Sequence, residues 1–140
     1  MNKTEELPLK NYKMPVVKKQ IYILDDDVSV LRSLKLLLVS YGFAVNTFST
    51  AEEFFNEVPN SAEGCMILDI HMPGLNGWDT QKRLKKAGYS LPVIVITADK
   101  DDRFKEKSLK AGAVGFLLKP FEDHYLLHMV NRVLDMTAVN

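Results

Sequence analysis

Acidic, hydroxyl and ammonium groups end four of the most apolar stretches of this sequence. Each stretch has the length of a strand, and the polar residues that follow are Asp25-Asp26-Asp27, Asp69, Thr97 and Lys119-Pro120. A charged side chain at the end of a buried segment costs free energy unless a partner compensates it. If these strands are parallel, their carboxyl ends meet at one edge of a sheet, where ligands bind in such folds. The sequence therefore predicts one polar cluster at that edge.

Three carboxylates that converge on one edge repel one another and favour a positively charged partner. A ligand set made only of oxygen atoms suits a hard divalent cation such as Mg²⁺, which keeps several of its waters. We therefore predict a divalent metal site at this edge, beside one hydroxyl and one ammonium group.

Composition narrows the classes of function. The chain has 140 residues, of which 46% are hydrophobic and 26% charged, so it has room for one domain with a full core. Lys plus Arg and Asp plus Glu number 18 each, so no global basic field is available to hold nucleic acid or an anionic membrane. One cysteine, no signal peptide and no apolar segment of membrane-spanning length predict a cytoplasmic protein.

Five apolar segments of strand length alternate with five helical patterns. The predicted strands are QIYIL, FAVNTFS, CMIL, LPVIVIT and AVGFLL, and the predicted helices are VSVLRSLKLLLVSYG, TAEEFFNEV, the segment after Asn76-Gly77, residues 101–111 and EDHYLLHMVNRVLDM. The inward positions of the first helix are predicted to be Leu31, Leu34, Leu38 and Tyr41. In the second helix, Thr50 and Glu53 have the spacing of a capping box. Such alternation requires parallel strands joined by helical crossovers, which predicts a doubly wound α/β sandwich.

The motifs ILDDD, ILDIHMPGLNGW, VIVITA and GAVGFLLKPF occur in one order along the chain. As a set they resemble the receiver domains of two-component response regulators, over about residues 19–136. The resemblance implies a flavodoxin-like fold with strand order 2-1-3-4-5, and it leaves residues 1–18 as a flexible arm or expression remnant and 137–140 as a tail. The segment SLKLLLVSYGFAVNTFSTAEEFF resembles receivers of the nitrogen-fixation and nitrate regulator type, whose chains continue into a helix-turn-helix DNA-binding domain.

The resemblance also implies a role for each residue of the polar cluster. Asp69 would accept a phosphoryl group, with Lys119 and Thr97 each taking one phosphoryl oxygen. Mg²⁺ or Mn²⁺ would be held by Asp26, Asp69 and the backbone carbonyl of His71, with Asp25 acting through metal-bound water. Thr97 and Phe116 would form the switch, and the Lys119-Pro120 bond would be cis. The protein would not be a turnover enzyme, but an acceptor that catalyses its own phosphorylation and dephosphorylation.

The implied partners are other proteins. A sensor histidine kinase would supply the phosphoryl group, and an output domain, a partner protein or a second copy of the chain would dock on the face of the fourth helix, fifth strand and fifth helix. The fourth helix has only Phe104 and Leu109 as large apolar residues, so we expect it to be loosely held. Regulation of transcription through a further domain and action as a stand-alone regulator both remain open.

Several residues have a simpler structural explanation. Asp27 is predicted to cap the first helix. His124 and His128 are predicted to be surface residues rather than half of a zinc site, and Trp78 and Phe116 to be core aromatics.

A rival interpretation takes D-x-D-x-S, from Asp25 to Ser29, as the nucleophile motif of haloacid-dehalogenase-like phosphatases. It leaves Asp69 unexplained and lacks a later acidic pair for the metal. A third alternative is a degenerate receiver that only binds proteins.

Overall fold

The computed structural model describes residues 19–72 and 76–138, and the predicted arm and the last two residues of the predicted tail lie outside them. The strands are β1 (Gln20–Leu24), β2 (Ala44–Phe48), β3 (Cys65–Asp69), β4 (Val93–Thr97) and β5 (Gly115–Leu118). The helices are α1 (Val28–Ser40), α2 (Ala51–Glu57), α3 (Gly77–Lys86), α4 (Asp102–Lys110) and α5 (Asp123–Ala138).

The five strands form one parallel sheet in the order β2-β1-β3-β4-β5. Every neighbouring pair is parallel, and the register sets Leu24 of β1 beside Leu68 of β3. Strand order reverses between β1 and β3, which places a switch point where the acidic ends of these two strands lie side by side. The predicted fold class, strand order and number of helices are confirmed.

Apolar side chains fill both faces of the sheet. Ile21 and Ile23 of β1 point into a core shared with α1 and α5, whereas Tyr22 and Leu24 point into the core that α2 and α3 cover. Both faces of the central strands are therefore dry, which explains their continuously apolar sequences. The same burial makes any polar group at the strand ends dependent on partners inside the protein.

The helix ends agree with the sequence signals, with one correction. Thr50 and Glu53 form the predicted capping box of α2. The residues Leu31, Leu34 and Leu38 of α1 are buried, but Tyr41, which we predicted to face inward, is 63% exposed. Tyr41 is the cap residue at which α1 has already ended, and the chain turns at Gly42 with φ of +94°, so helical spacing no longer applies there.

Among the residues that the structure describes, no helix combines the length and the apolar character that crossing a bilayer requires.

Candidate functional site

The acidic residues predicted to converge do so at the carboxyl edge of the sheet. Asp25 directly follows β1 and Asp69 is the last residue of β3, so the pairing of these two strands brings the two carboxylates together. Asp26, beside them, is exposed, and one carboxylate oxygen of each of the three lies within 4.8 Å of the others. Asp25 is fully buried and Asp69 is 7% exposed, so this concentration of negative charge is poorly solvated.

One ammonium group reaches this cluster. The Nζ atom of Lys119, the first residue after β5, lies 2.8 Å from Oδ2 of Asp25 and 3.7 Å from Oδ2 of Asp69. Its backbone N–H donates to the carbonyl of Thr97 at 2.7 Å, which ties the end of β5 to the end of β4. The Lys119-Pro120 peptide bond is cis, as predicted. Lys119 therefore pairs most closely with Asp25, an ion pair that the sequence did not predict.

Asp69 is the electrostatically perturbed group of the cluster. Burial raises its pKa from 3.8 to about 6, and repulsion from Asp25 acts in the same direction. The ammonium of Lys119 and the backbone N–H of His71, which donates to Oδ1 of Asp69 at 3.2 Å, partly offset both effects. A carboxylate in this setting gains from any further cation or hydrogen-bond donor that reaches it.

Thr97 ends β4 and is fully buried. Its Oγ1 atom accepts a hydrogen bond from the backbone N–H of Asp99 at 3.1 Å. Oδ1 of Asp99 accepts in turn from the N–H of Asp101, and the Asp101 side chain caps α4 by accepting from the N–H of Arg103. A chain of short-range hydrogen bonds thus connects the predicted switch threonine with the first turn of α4.

His71 follows the end of β3, and Phe116 lies in β5. The His71 ring is exposed at the rim, with Nε2 3.4 Å from Oδ2 of Asp99. It meets the Phe104 ring at 84°, with ring centroids 5.1 Å apart. Phe116 is half-buried in β5, pairs with Val95 of β4, and packs on the core face that α2 and α3 cover. Residues 73–75 of the motif that follows His71 lie outside the described residues.

The structural explanations for other polar residues also agree with the structure. The Asp27 carboxylate accepts from the N–H groups of Ser29 and Val30, so it is the N-cap of α1. His124 and His128 are both exposed on α5. In the described residues, the acidic or imidazole cluster with metal-like spacing is the one formed by Asp25, Asp26 and Asp69.

Helices α3 and α4 share a set of contacts that was not predicted from the sequence. Trp78 of α3 packs against Phe104 of α4 and donates from Nε1 to Oγ of Ser108 at 3.4 Å. Ser108 is fully buried, although its type and its charged neighbours indicate a solvent-exposed residue. The only sequence signal for it is helical spacing, since Ser108 lies four residues after Phe104 on the same side of the helix.

Comparison with known proteins agrees with this geometry. The family described as "Response regulator receiver domain" matches residues 21–131. The response regulator protein TodT of Pseudomonas putida is 45% identical over 116 residues, which is 83% of this chain and 51% of that protein. The transcriptional regulatory protein FixJ of Bradyrhizobium diazoefficiens is 38% identical over 117 residues, covering 84% of this chain and 57% of FixJ.

A solved structure of the response regulator StyR superposes with a TM-score of 0.81 at 38% identity, covering 87% of this chain and 62% of StyR. This chain spans about half the length of the curated relatives that it matches. The match includes every strand end that contributes to the polar cluster. The chain therefore belongs to the response regulator receiver domain family.

Proposed function

We propose that Asp69 accepts a phosphoryl group from a phosphohistidine of a sensor kinase. The observation that carries the proposal is the placement of this carboxylate at the sheet edge, 7% exposed, with a lysine ammonium 3.7 Å from its Oδ2 atom. Phosphoryl transfer needs little more than alignment and neutralisation of the equatorial oxygens. Asp69, Lys119 and Thr97 supply a nucleophile, a cation and a hydroxyl at one edge.

The donor set fits a hard divalent cation, Mg²⁺ or Mn²⁺. Three carboxylates within 4.8 Å of one another, two of them buried, are mutually repulsive, and the ammonium of Lys119 compensates only part of their charge. Asp26, Asp69 and the backbone carbonyl of His71 would hold the ion, and Asp25 would act through a bound water. The ion would neutralise charge on the transferring phosphoryl group.

Residues of the chain itself would carry out the formation of the acyl phosphate. An Oδ atom of Asp69 attacks phosphorus, the bond from phosphorus to the histidine nitrogen breaks, and its electron pair returns to the imidazole, which leaves an acyl phosphate on Asp69. Hydrolysis of that acyl phosphate would release inorganic phosphate and restore the carboxylate. Lys119, which pairs with Asp25 in this structure, would turn towards the new phosphoryl oxygens, because they carry more charge than the carboxylate did.

Thr97 would transmit the change. If its hydroxyl turns towards the phosphoryl group, the hydrogen bond from the N–H of Asp99 is lost, and with it the first link towards α4. Phe116 would then rotate into the space beneath α4. The face formed by α4, β5 and α5 already exposes large apolar residues, which are Leu109, Val114, Leu118 and Tyr125. We propose that an output domain, a partner protein or a second copy docks there.

The similarity to FixJ, a transcriptional regulatory protein, supports regulation of transcription as the output, through a further domain or a separate partner. The kinase, the output partner and a cytoplasmic location are parts of this proposal.

Labelling with acetyl phosphate tests the acceptor. Intact mass spectrometry of the wild-type protein should show one added phosphoryl group that requires Mg²⁺, and Asp69→Asn should remain unlabelled under the same conditions. Asp27→Asn is the matched control, because it changes a neighbouring aspartate that caps α1. Unlabelled wild-type protein would contradict the proposal and favour the degenerate receiver. Label on Asp69→Asn with release of inorganic phosphate would instead favour the phosphatase interpretation, with Asp25 as nucleophile.

A further inference from the structure

A row of three aromatic rings leads from the loop after Asp69 to α3. The ring of His71 contacts Phe104 of α4 edge to face, with centroids 5.1 Å apart. Phe104 also contacts Trp78 of α3, with centroids 5.2 Å apart and planes tilted by 32°. The backbone N–H of His71 donates to the Asp69 carboxylate, so the row begins at the proposed acceptor. It joins the loop after β3 to two helices.

Trp78 also holds the second half of α4. Its Nε1 donates to Oγ of Ser108, and the ammonium of Lys107 lies 4.0 Å from the centroid of its indole ring. The Ser108 hydroxyl donates to the carbonyl of Phe104, one turn earlier, at 2.7 Å. Trp78 therefore contacts three residues of α4, namely Phe104, Lys107 and Ser108.

Gln81, one turn after Trp78, adds a second contact with Ser108. Its Nε2 donates to the carbonyl of Ser108 at 3.3 Å, while its Oε1 is buried with no hydrogen-bond partner among the described residues. A buried unpaired acceptor costs free energy. This cost reduces the free-energy difference between the observed position of α4 and a displaced one. The ring, hydrogen-bond and cation contacts of Trp78 carry no such cost.

Helix α4 buries few apolar side chains, so its position depends strongly on the contacts with Trp78. Ser108 is the buried residue of this helix, whereas Leu109 is 44% exposed and Phe104 only half-buried. The first turn depends on the Asp101 cap, which is connected through Asp99 to Thr97. With so little apolar burial of its own, α4 is positioned by a few identifiable contacts.

We propose that Trp78 is a positioning residue of the switch, which holds α4 in the arrangement of the unphosphorylated protein and thereby opposes phosphorylation of Asp69. The inference rests on the proposed function, in which phosphorylation and a displacement of α4 favour each other. By linkage, a contact that stabilises only the unphosphorylated arrangement lowers the population able to take the phosphoryl group. Weakening that contact must raise the population.

Trp78→Phe tests this role, because it keeps an aromatic ring against Phe104 but removes the Nε1 donor and weakens the contact with Lys107. The net value of one hydrogen bond predicts labelling by acetyl phosphate about 2- to 10-fold faster than in the wild type. Ser108→Ala removes the acceptor of the same bond and should change the rate in the same direction. Tyr89→Phe is the matched control, since its hydroxyl donates to the carbonyl of Val58 away from α4.

Amide exchange without phosphodonor provides the second readout. Residues 102–110 should exchange faster in Trp78→Phe than in the wild type, and at the wild-type rate in Tyr89→Phe. If the wild type is labelled but Trp78→Phe shows neither faster labelling nor faster exchange in α4, the role of Trp78 is wrong while the acceptor proposal stands. If the wild type takes no label at all, the proposed function fails, and the link between α4 and phosphorylation fails with it.

Discussion

Replacing Asp69 by asparagine should stabilise the metal-free protein at neutral pH, although it removes the proposed acceptor. In the wild type, Asp69 must be ionised at pH 7 inside a poorly solvated cluster with Asp25. Asparagine has nearly the same shape and no charge, so it removes the repulsion without leaving a cavity. The Lys119 ammonium keeps its closer partner, Asp25, at 2.8 Å.

The size of the effect follows from the raised pKa of Asp69. A rise from 3.8 to about 6 corresponds to about 3 kcal/mol at neutral pH. Because solvent at the open rim screens part of this repulsion, we expect about 1 to 3 kcal/mol, or roughly 3 to 10 °C in Tm for a domain of this size. The folded state binds the proton more tightly than the unfolded state, so this contribution makes wild-type stability fall as pH rises from about 4 to about 6. The advantage of Asp69→Asn should therefore be complete above about pH 6 and vanish as pH falls below about 4.

Urea unfolding in EDTA, at pH 7.5 and at pH 3.5, measures both parts of this prediction. Asp79→Asn is the control, since Asp79 is an exposed carboxylate in the first turn of α3; its replacement should stabilise the protein at neither pH and cost at most about 1 kcal/mol. Mg²⁺ should then raise the Tm of the wild type more than that of Asp69→Asn, because a ligand of the folded state stabilises it by mass action. An Asp69→Asn variant no more stable than the wild type at pH 7.5, or equally stabilised at both pH values, would show that repulsion at Asp69 does not destabilise the folded state.

Three further variants separate the parts of the site. Lys119→Ala should lower the free energy of unfolding by about 3 kcal/mol in EDTA, because it leaves the buried Asp25 charge unpaired, and Mg²⁺ should restore part of the loss in a thermal melt. Thr97→Ala should still be labelled by acetyl phosphate but lose the change in amide exchange that we expect in residues 98–121 of the phosphorylated wild type; a change centred on α1 and α2 would contradict this mechanism. Asp27→Ala should cost about 1 kcal/mol in urea unfolding through loss of the α1 cap while labelling continues, and loss of labelling would make Asp27 part of the site.

The apolar pattern predicted the strand boundaries well where charged residues flank the strand on both sides. The segment QIYIL is β1 as predicted, because Lys19 and Asp25 interrupt the apolar run at both ends. The strand predicted over 113–118 begins later, at Gly115. There the N–H of Ala113 donates to the carbonyl of Ser108, so the turn that caps the C-terminus of α4 includes a residue that looks like strand from its sequence.

The location of the site was also predictable, because parallel strands must end on the same edge. Which carboxylate pairs with Lys119 was not predictable. Asp25, Asp26 and Asp69 have the same chemistry, and only the three-dimensional position of Lys119 shows that Asp25 is its closer partner. Nor does periodicity show which faces of two helices touch, so the contact between Trp78 and Ser108, 30 residues apart, required the structure.

Chemical mapping of the labelled residue shows whether Asp69 is the phosphoryl acceptor. The wild-type protein would be phosphorylated with acetyl phosphate and Mg²⁺, and borohydride would then reduce the acyl phosphate to a homoserine that peptide mass spectrometry can locate. We expect homoserine at position 69 and unmodified aspartate at positions 25, 26 and 27. Homoserine at position 25, with position 69 unmodified, would contradict it.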